Sequence, residues 1–513
     1  MKLNLLLAAL LLTSCFSAVK AQKLLGISNG NFAGTNALYM NPAFIVDSRL
    51  GFNLNLGTLD IYASNNYLRY NSPNSIFKTL KNEEEFTADY LEEKLNGKPK
   101  LITTSLDLRG PSIMFTMSPR HSFAITTRVK GAVQMNNVSE SSARLIKTGG
   151  DEDDLLNQIN DDNKFSLNGN VNAELGFSYG RVLYDAGTRV LKSGITLKRV
   201  TGIYSSYFIN EGSRFQVSDR TDANGTYQQI QVDNINARYG YLNEDLLENI
   251  ESSDVVNWLT KGDAPGKGWG LDLGLSYEYR PDIESYKYTV NSMQYLDHRK
   301  SKYKYRVGVA LMDVGGVKYK SQYARSLDIA KQNVILDSRD FEEAEDTDEY
   351  SQIFNEAFGI RESDIKREFR SGLPTALNIS FDYKLKGRLY VNTTLIQSLR
   401  KKEAVAMRQF SMLAVTPRLE MKALELAFPI SLQNNYSVFA VGAMAKLGPF
   451  FIGSDNISGA LNIGKPYGAN VYAGVSLLSL HREKRKEEKI KKVKKVKNST
   501  PVTPSTTPPA GNQ

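Results

Sequence analysis

Gly270-Leu271-Asp272-Leu273-Gly274-Leu275-Ser276-Tyr277-Glu278-Tyr279 alternates without a break. Leucine and tyrosine take every second position, and aspartate, glycine, serine and glutamate take the others. A period of two places the two sets on opposite faces of a β-strand, one face apolar and one wet. Residues 376–385 repeat the pattern with Leu377, Ile379, Phe381, Tyr383 and Leu385, and Leu389, Val391, Thr393 and Leu395 carry it on. Residues 50–61 set Leu50, Phe52, Leu54 and Leu56 opposite Asn53 and Asn55.

Alternation is common to a soluble sandwich and a membrane barrel. The segments recur over the whole chain, more than the roughly 7–9 strands of one sandwich. Several apolar faces carry Tyr or Phe near their ends, as interfacial girdles do. Turn residues separate the segments, as in Ser118-Pro119-Arg120-His121, Lys384-Leu385-Lys386-Gly387-Arg388 and Leu447-Gly448-Pro449. The reading is all-β: an antiparallel transmembrane β-barrel of about 14 strands, in a range of about 12–16. A soluble periplasmic β-protein is the alternative. Mean hydropathy is -0.36, and no later apolar run approaches the roughly 18–20 residues of a spanning helix.

The chain has 513 residues and a net charge of +9, unevenly placed. Residues 481–513 hold ten Lys/Arg against Glu483, Glu487 and Glu488, and residues 1–21 hold Lys2 and Lys20. The remaining body has 52 basic and 52 acidic residues and is neutral. A basic tail on a neutral body does not predict nucleic-acid binding.

Lys2, the largely apolar stretch from Leu3 to Leu12, and the small residues Val19 and Ala21 predict an export signal cut before Gln22. Leu12-Thr13-Ser14-Cys15 offers a rival reading as a lipoprotein box that would lipidate Cys15. Cys15 is the only cysteine, so a chain cut after Ala21 has no disulfide, thiolate or Cys–zinc chemistry. The expected organisation is signal 1–21, an N-terminal segment 22–49, barrel 50–480, and a basic then Pro/Thr-rich tail 481–513.

Four insertions are acidic: residues 83–93, 151–162, 244–254 and 337–349. Some have helical patterning, such as Leu246, Leu247, Ile250, Val255, Val256 and Leu259. None has calcium-loop spacing, and as the long loops of a barrel they belong outside the cell. No catalytic or metal constellation emerges and no cofactor is expected. His121 falls in a turn, His298 in a charged run and His481 at the barrel exit, and all three read as solvated. Residues 262–270 lack phosphate-loop spacing and read as a loop.

Two stretches carry a family resemblance. Asn29-Gly30-Asn31-Phe32-Ala33-Gly34-Thr35-Asn36-Ala37-Leu38, followed by Asn41-Pro42-Ala43-Phe44-Ile45, resembles the N-terminus of FadL-type fatty-acid channels and of related Bacteroidetes barrels, including PorV-like proteins of type IX secretion. Gly448-Pro449-Phe450-Phe451-Ile452-Gly453-Ser454-Asp455-Asn456, with Leu373-Pro374 opening a strand, is similar to an uncharacterised family of Bacteroidetes outer-membrane proteins. The resemblance implies an N-terminal hatch inside the lumen, with Asn31, Gly34, Asn41, Pro42 and Ala43 as its marked residues. It also implies a family-like turn at Gly448, Pro449, Gly453, Ser454, Asp455 and Asn456. The other reading of Asn41-Pro42 is a plain turn into the first strand.

The resulting expectation is an outer-membrane, non-enzymatic channel for a hydrophobic or small solute, gated by the hatch, with a periplasmic tail. The alternative is a structural or adaptor barrel with an envelope protein partner, in envelope organisation or a type IX-like secretion apparatus. Outer-membrane lipid is a partner in either case.

Overall fold

The structure is a computed structural model. It describes residues 24–481 except 72–89, 149–152, 162–163, 224, 244–253, 256, 259–263, 342–346, 422, 462 and 464–465. The signal, Cys15, parts of the four acidic runs with most of the expected helical face at Leu246, and the tail after His481 lie outside the described residues.

Fourteen antiparallel strands close into a barrel. They are β1 (Leu50–Asn55 and Gly57–Asn65), β2 (Lys100–Arg109 and Ser112–Ser118), β3 (His121–Val138), β4 (Phe165–Asp185) and β5 (Arg189–Asp222). Then come β6 (Gly225–Leu242 and Gly266–Tyr279), β7 (Tyr305–Lys320 and Ala324–Asp337), β8 (Glu368–Gly372 and Ala376–Lys386), β9 (Leu389–Ser398) and β10 (Met412–Glu420). The last are β11 (Leu424–Ala427 and Ile430–Gln433), β12 (Val438–Val441 and Ala443–Leu447), β13 (Phe450–Ser454) and β14 (Gly468–Val475 and Leu478–His481). Each pairs with its sequence neighbours, and β14 returns to β1 through Leu54↔Leu478 and Ile61↔Val471. Closure leaves no unpaired edge, which a sheet in hydrocarbon requires.

The polarity of the wall is inverted relative to a water-soluble protein. In β6, Leu273 and Leu275 are 42% and 50% exposed, whereas Asp272 and Glu278 are 3% and 4% exposed. Asn53 and Asn55 are buried while Leu56 is exposed. An outward leucine gains about 1.5–3 kcal/mol by leaving water for an apolar phase. The same surface in water would be an aggregation site. An outward aromatic band crosses neighbouring strands: Phe115–Phe123 at 5.5 Å, Phe123–Tyr179 at 5.0 Å, Tyr279–Tyr305 at 5.3 Å and Tyr305–Phe381 at 6.0 Å.

Two local expectations are corrected. Leu50 does not join Phe52 and Leu54 on the outer face; the register shifts between Leu50 and Phe52, and Leu50 is buried with Ile45, Val46 and Met114. The strand expected to begin at Gly270 begins at Gly266, so residues 266–270 are not loop. Glycine serves there because the Tyr319 ring lies over Gly202 and Gly266, where a Cβ would meet it.

The barrel has two unlike ends. One, the turn end, has the short connections after residues 118, 185, 386, 420 and 447, together with Leu50 and His481. The other, the loop end, has the connections 66–99, 139–164, 338–367, 399–411 and 455–467. The described parts of acidic runs 83–93, 151–162 and 337–349 belong to the loop end. There β5, β6 and β7 extend as a projecting sheet, pairing Val217↔Ile230 and Ile230↔Leu336. It has its own core of Phe215, Val217, Val232, Tyr239, Ile329 and Leu336, covered by Leu155 and Phe358.

Candidate functional site

Residues 24–46 pack against the inward-facing wall. A short helix (Leu25–Ser28) and two 3-10 turns (Gly34–Tyr39 and Pro42–Ile45) carry them, with nearly every residue buried. Asn41 is extended (φ -162°, ψ 118°), as a residue before proline should be. Its side-chain oxygen accepts from Ala43 N at 2.9 Å, while Pro42 opens the 3-10 turn where no N–H is needed.

The wall supplies a matching floor. Gly180, Gly194 and Gly274 stand side by side on β4, β5 and β6, and Gly308 lies diagonally beyond on β7. A Cβ on Gly194 would overlap the Pro42 carbonyl, one on Gly274 would overlap Asn41 and Pro42, one on Gly308 would meet Phe44, and one on Gly180 would overlap Val46. The Asn41 amide donates to Leu275 O at 2.9 Å and Val309 O at 3.2 Å, carbonyls of the wall itself.

Polar tethers extend around the circumference. Leu25 N donates to Asp455 Oδ2 (3.0 Å), Asn29 Nδ2 to Thr394 Oγ1 (3.0 Å), Lys446 Nζ to Phe32 O (2.9 Å) and Asn378 Nδ2 to Met40 O (3.0 Å). Asn31 donates to Glu420 from its backbone at 2.9 Å and from its amide, which also donates to the Tyr303 hydroxyl at 2.8 Å. Arg109 donates to Asn36 Oδ1 at 2.7 Å. The Tyr39 ring lies 4.2 Å and 4.8 Å from the Arg109 and Arg128 guanidinium carbons. Burial pushes the Tyr39 hydroxyl up to about 12, with both arginines pulling against it.

The base of the segment is clamped at the turn end by the insertion between β6 and β7, residues 280–304. Asp47 meets Arg280 at 2.9 Å, Lys302 at 2.9 Å and His298 Nδ1 at 2.8 Å. Burial alone would raise the Asp47 carboxyl; Lys302, His298 and Arg280 outweigh it and hold the group well below the usual carboxylate range.

A roof closes the opposite side. Residues 399–411 fold inward from the loop end. Arg408 N donates to Gln134 Oε1 at 2.7 Å, and Gln134 Nε2 donates back to Arg408 O at 2.8 Å. Arg400 donates to Leu373 O and Gly315 O, and Ser166 Oγ donates to Lys402 O. Among the described residues, a crevice of about 30 Å³ lies beside residues 43–49 and another of about 30 Å³ lies beneath the roof.

The marked residues divide. Asn31, Gly34, Asn41, Pro42 and Ala43 all lie in this packing; Gly34 has φ 58°, and its space is taken by Asn53. Gly448 and Pro449 form a tight turn with open space around Gly448. Gly453 admits the Tyr472 ring, Ser454 Oγ accepts from Asn456 N, and Asn456 Nδ2 donates to Gly468 O. Within that stretch Asp455 is the residue bonded to the N-terminal segment. The histidine expectation is corrected: His298 is partly buried against Asp47, and His121 is half-buried with Nδ1 2.8 Å from the Tyr179 hydroxyl. The His481 side chain lies outside the described residues. The wall's own contributions were missed, among them the glycine floor, Glu420, Tyr303, Arg109 and Arg128. Their signal was glycine and charge at inward positions of alternating strands.

A family model matches residues 42–455, and its description is DUF5723, a family of unknown function. The chain belongs to this family. The match begins at Pro42, seated on the glycine floor, and ends at Asp455, which holds Leu25. The comparison with curated proteins gave no match. Among solved structures, the toluene transporter TbuX of Ralstonia pickettii aligns with TM-score 0.33 and 10% identity, over 86% of this chain and 92% of its own. The toluene transporter TodX of Pseudomonas putida aligns with TM-score 0.32 and 10% identity, over 88% and 96%. A Pseudomonas aeruginosa FadL homologue aligns with TM-score 0.29 and 10% identity, over 86% and 94%. The assignment as a barrel rests on the closed ladder of strands.

Proposed function

We propose that the protein is an outer-membrane channel for a small polar solute, with residues 24–46 as a hatch that opens it. The observation that carries the reading is the fit of this segment in a lumen whose lining is polar. Asp107, Arg128, Lys198, Asp272, Asp382 and Arg418 all face inward and are buried. With the hatch withdrawn, such a lining favours a polar solute over a hydrophobic one. The hatch is held by many individually modest hydrogen bonds of about 0.5–1.5 kcal/mol each, so a seat of this kind is reversible. Short turns at one end, where 280–304 is the exception, and long acidic connections at the other support a periplasmic turn end and an exterior loop end. On that reading the tail, which follows the turn-end residue His481, is periplasmic.

Deletion of residues 24–45 in proteoliposomes tests the channel. Swelling in small sugars or amino acids should rise severalfold, with little change for an apolar dye. No change in permeability for either class would sink the reading.

The projecting sheet favours a second reading, an adaptor for an envelope protein partner such as a secretion component. A pore has no need of a separately cored module at its rim. Cross-linking and co-purification from native membranes decide this; a protein that always runs alone ends it.

A further inference from the structure

The crevice beneath the roof is lined by Lys130, Thr103, Gln134, Arg408, Phe410 and Asn434, with no Asp or Glu in its lining. Lys130 is 6% exposed and makes no hydrogen bond or ion pair among the described residues. An ammonium in a low-dielectric interior needs a counter-charge or acceptors. The carboxylates sharing this part of the lumen are committed elsewhere. Asp107, across from Lys130 on β2, is held by Arg128 at 2.5 Å and Arg109 at 3.1 Å. Glu174 is 3.6 Å from Arg128, and Asp313 is paired with Lys198.

Arg408 is also spoken for, but only by neutral acceptors, Asn136 Oδ1 at 3.0 Å and Arg400 O at 3.3 Å. The crevice therefore presents two cationic side chains with hydroxyl and amide donors, while the carboxylates that act on them from outside its lining, Asp107, Glu174, Asp313 and Glu403, make no ion pair with either. We propose that it binds a small oxyanion, a phosphate or a short carboxylate, seated on Lys130 and enclosed by the roof. A volume of about 30 Å³ admits an oxyanion head and excludes a long chain. The proposal rests on the channel reading for its purpose, and names the charge of the solute that channel would take.

Full-length protein in detergent, hatch in place, is titrated calorimetrically with inorganic phosphate and with acetate at constant ionic strength, and with tetramethylammonium as cation control. Oxyanion binding is expected, weakened about tenfold or more by Lys130→Gln and largely kept by Lys130→Arg. The better ligand of the two identifies the head group. Absence of binding by both anions, equal binding of the cation, or identical affinity in Lys130→Gln overturns the proposal. If Lys130→Gln does not reach the folded, heat-modifiable form, wild-type protein decides: phosphate should protect Lys130 from reductive methylation, and lack of protection overturns it. Binding needs no hatch movement, so a channel that fails the swelling assay while still binding phosphate separates the two claims.

Discussion

Gly194 has no room for a side chain, because the backbone of Pro42 and Ala43 occupies the space where one would stand. Gly194→Val should leave the barrel folded while lifting residues 41–43 from the wall, at a cost of about 1–3 kcal/mol. Limited proteolysis would detect it as new cleavage before residue 50. Asp47 acts at the other end of the segment. Asp47→Asn leaves Arg280 and Lys302 facing a neutral amide, and should loosen the clamp by about 3–5 kcal/mol, read by the same cleavage. The pH dependence follows from the depressed carboxyl. Its stabilisation is complete above an unfolded value of about 4, and is lost as pH falls through the lower folded value. Hydrogen exchange, corrected for its intrinsic pH dependence, should therefore show residues 41–49 loosened in the most acidic buffers and protected at pH 5.

At the scale of the strand, outward residues act almost independently. Leu275→Arg should cost about 2–4 kcal/mol if its depth is near the midplane, measured by urea unfolding in bilayers. This independence explains what was legible. Each leucine of residues 270–279 reports its own face, so alternation disclosed strands, polarity and the approximate count from local sequence. The floor was illegible for the converse reason. Gly274 within an alternating strand reads as a spacer, and only register sets it beside Gly194 and Gly180. His298 was misread because its partner, Asp47, is 251 residues away. The five-residue β13 has too few positions to show a period, and its importance lies in Asp455, just past its end.

At the scale of the molecule, the proposed orientation makes the net charge of +9 a matter of sidedness. Three of the four acidic runs interrupt the sequence between strands that meet at the loop end, and the last described residue, His481, is at the turn end, ahead of the basic run. Single cysteines test this cleanly in a sequence whose only cysteine is Cys15. Thr221→Cys, at the tip of the projecting sheet, should react with an impermeant maleimide on intact cells. Ala186→Cys, in a short turn, should react only after the envelope is opened. Reaction of both on intact cells would reverse the proposed orientation.

The tether from Leu25 to Asp455 spans 430 residues, and the other contacts of residues 24–31 fall mainly on β9 to β14. The earliest part of the barrel's sequence thus has its seat built by the latest. Such contacts give back nothing until the intervening chain is in place. On the proposed hatch reading, insertion therefore ends with an interval in which the wall is complete and the hatch is not yet seated. During that interval each new copy of the proposed channel leaks, and the speed of docking, more than the final stability, sets how much leakage a growing cell must tolerate.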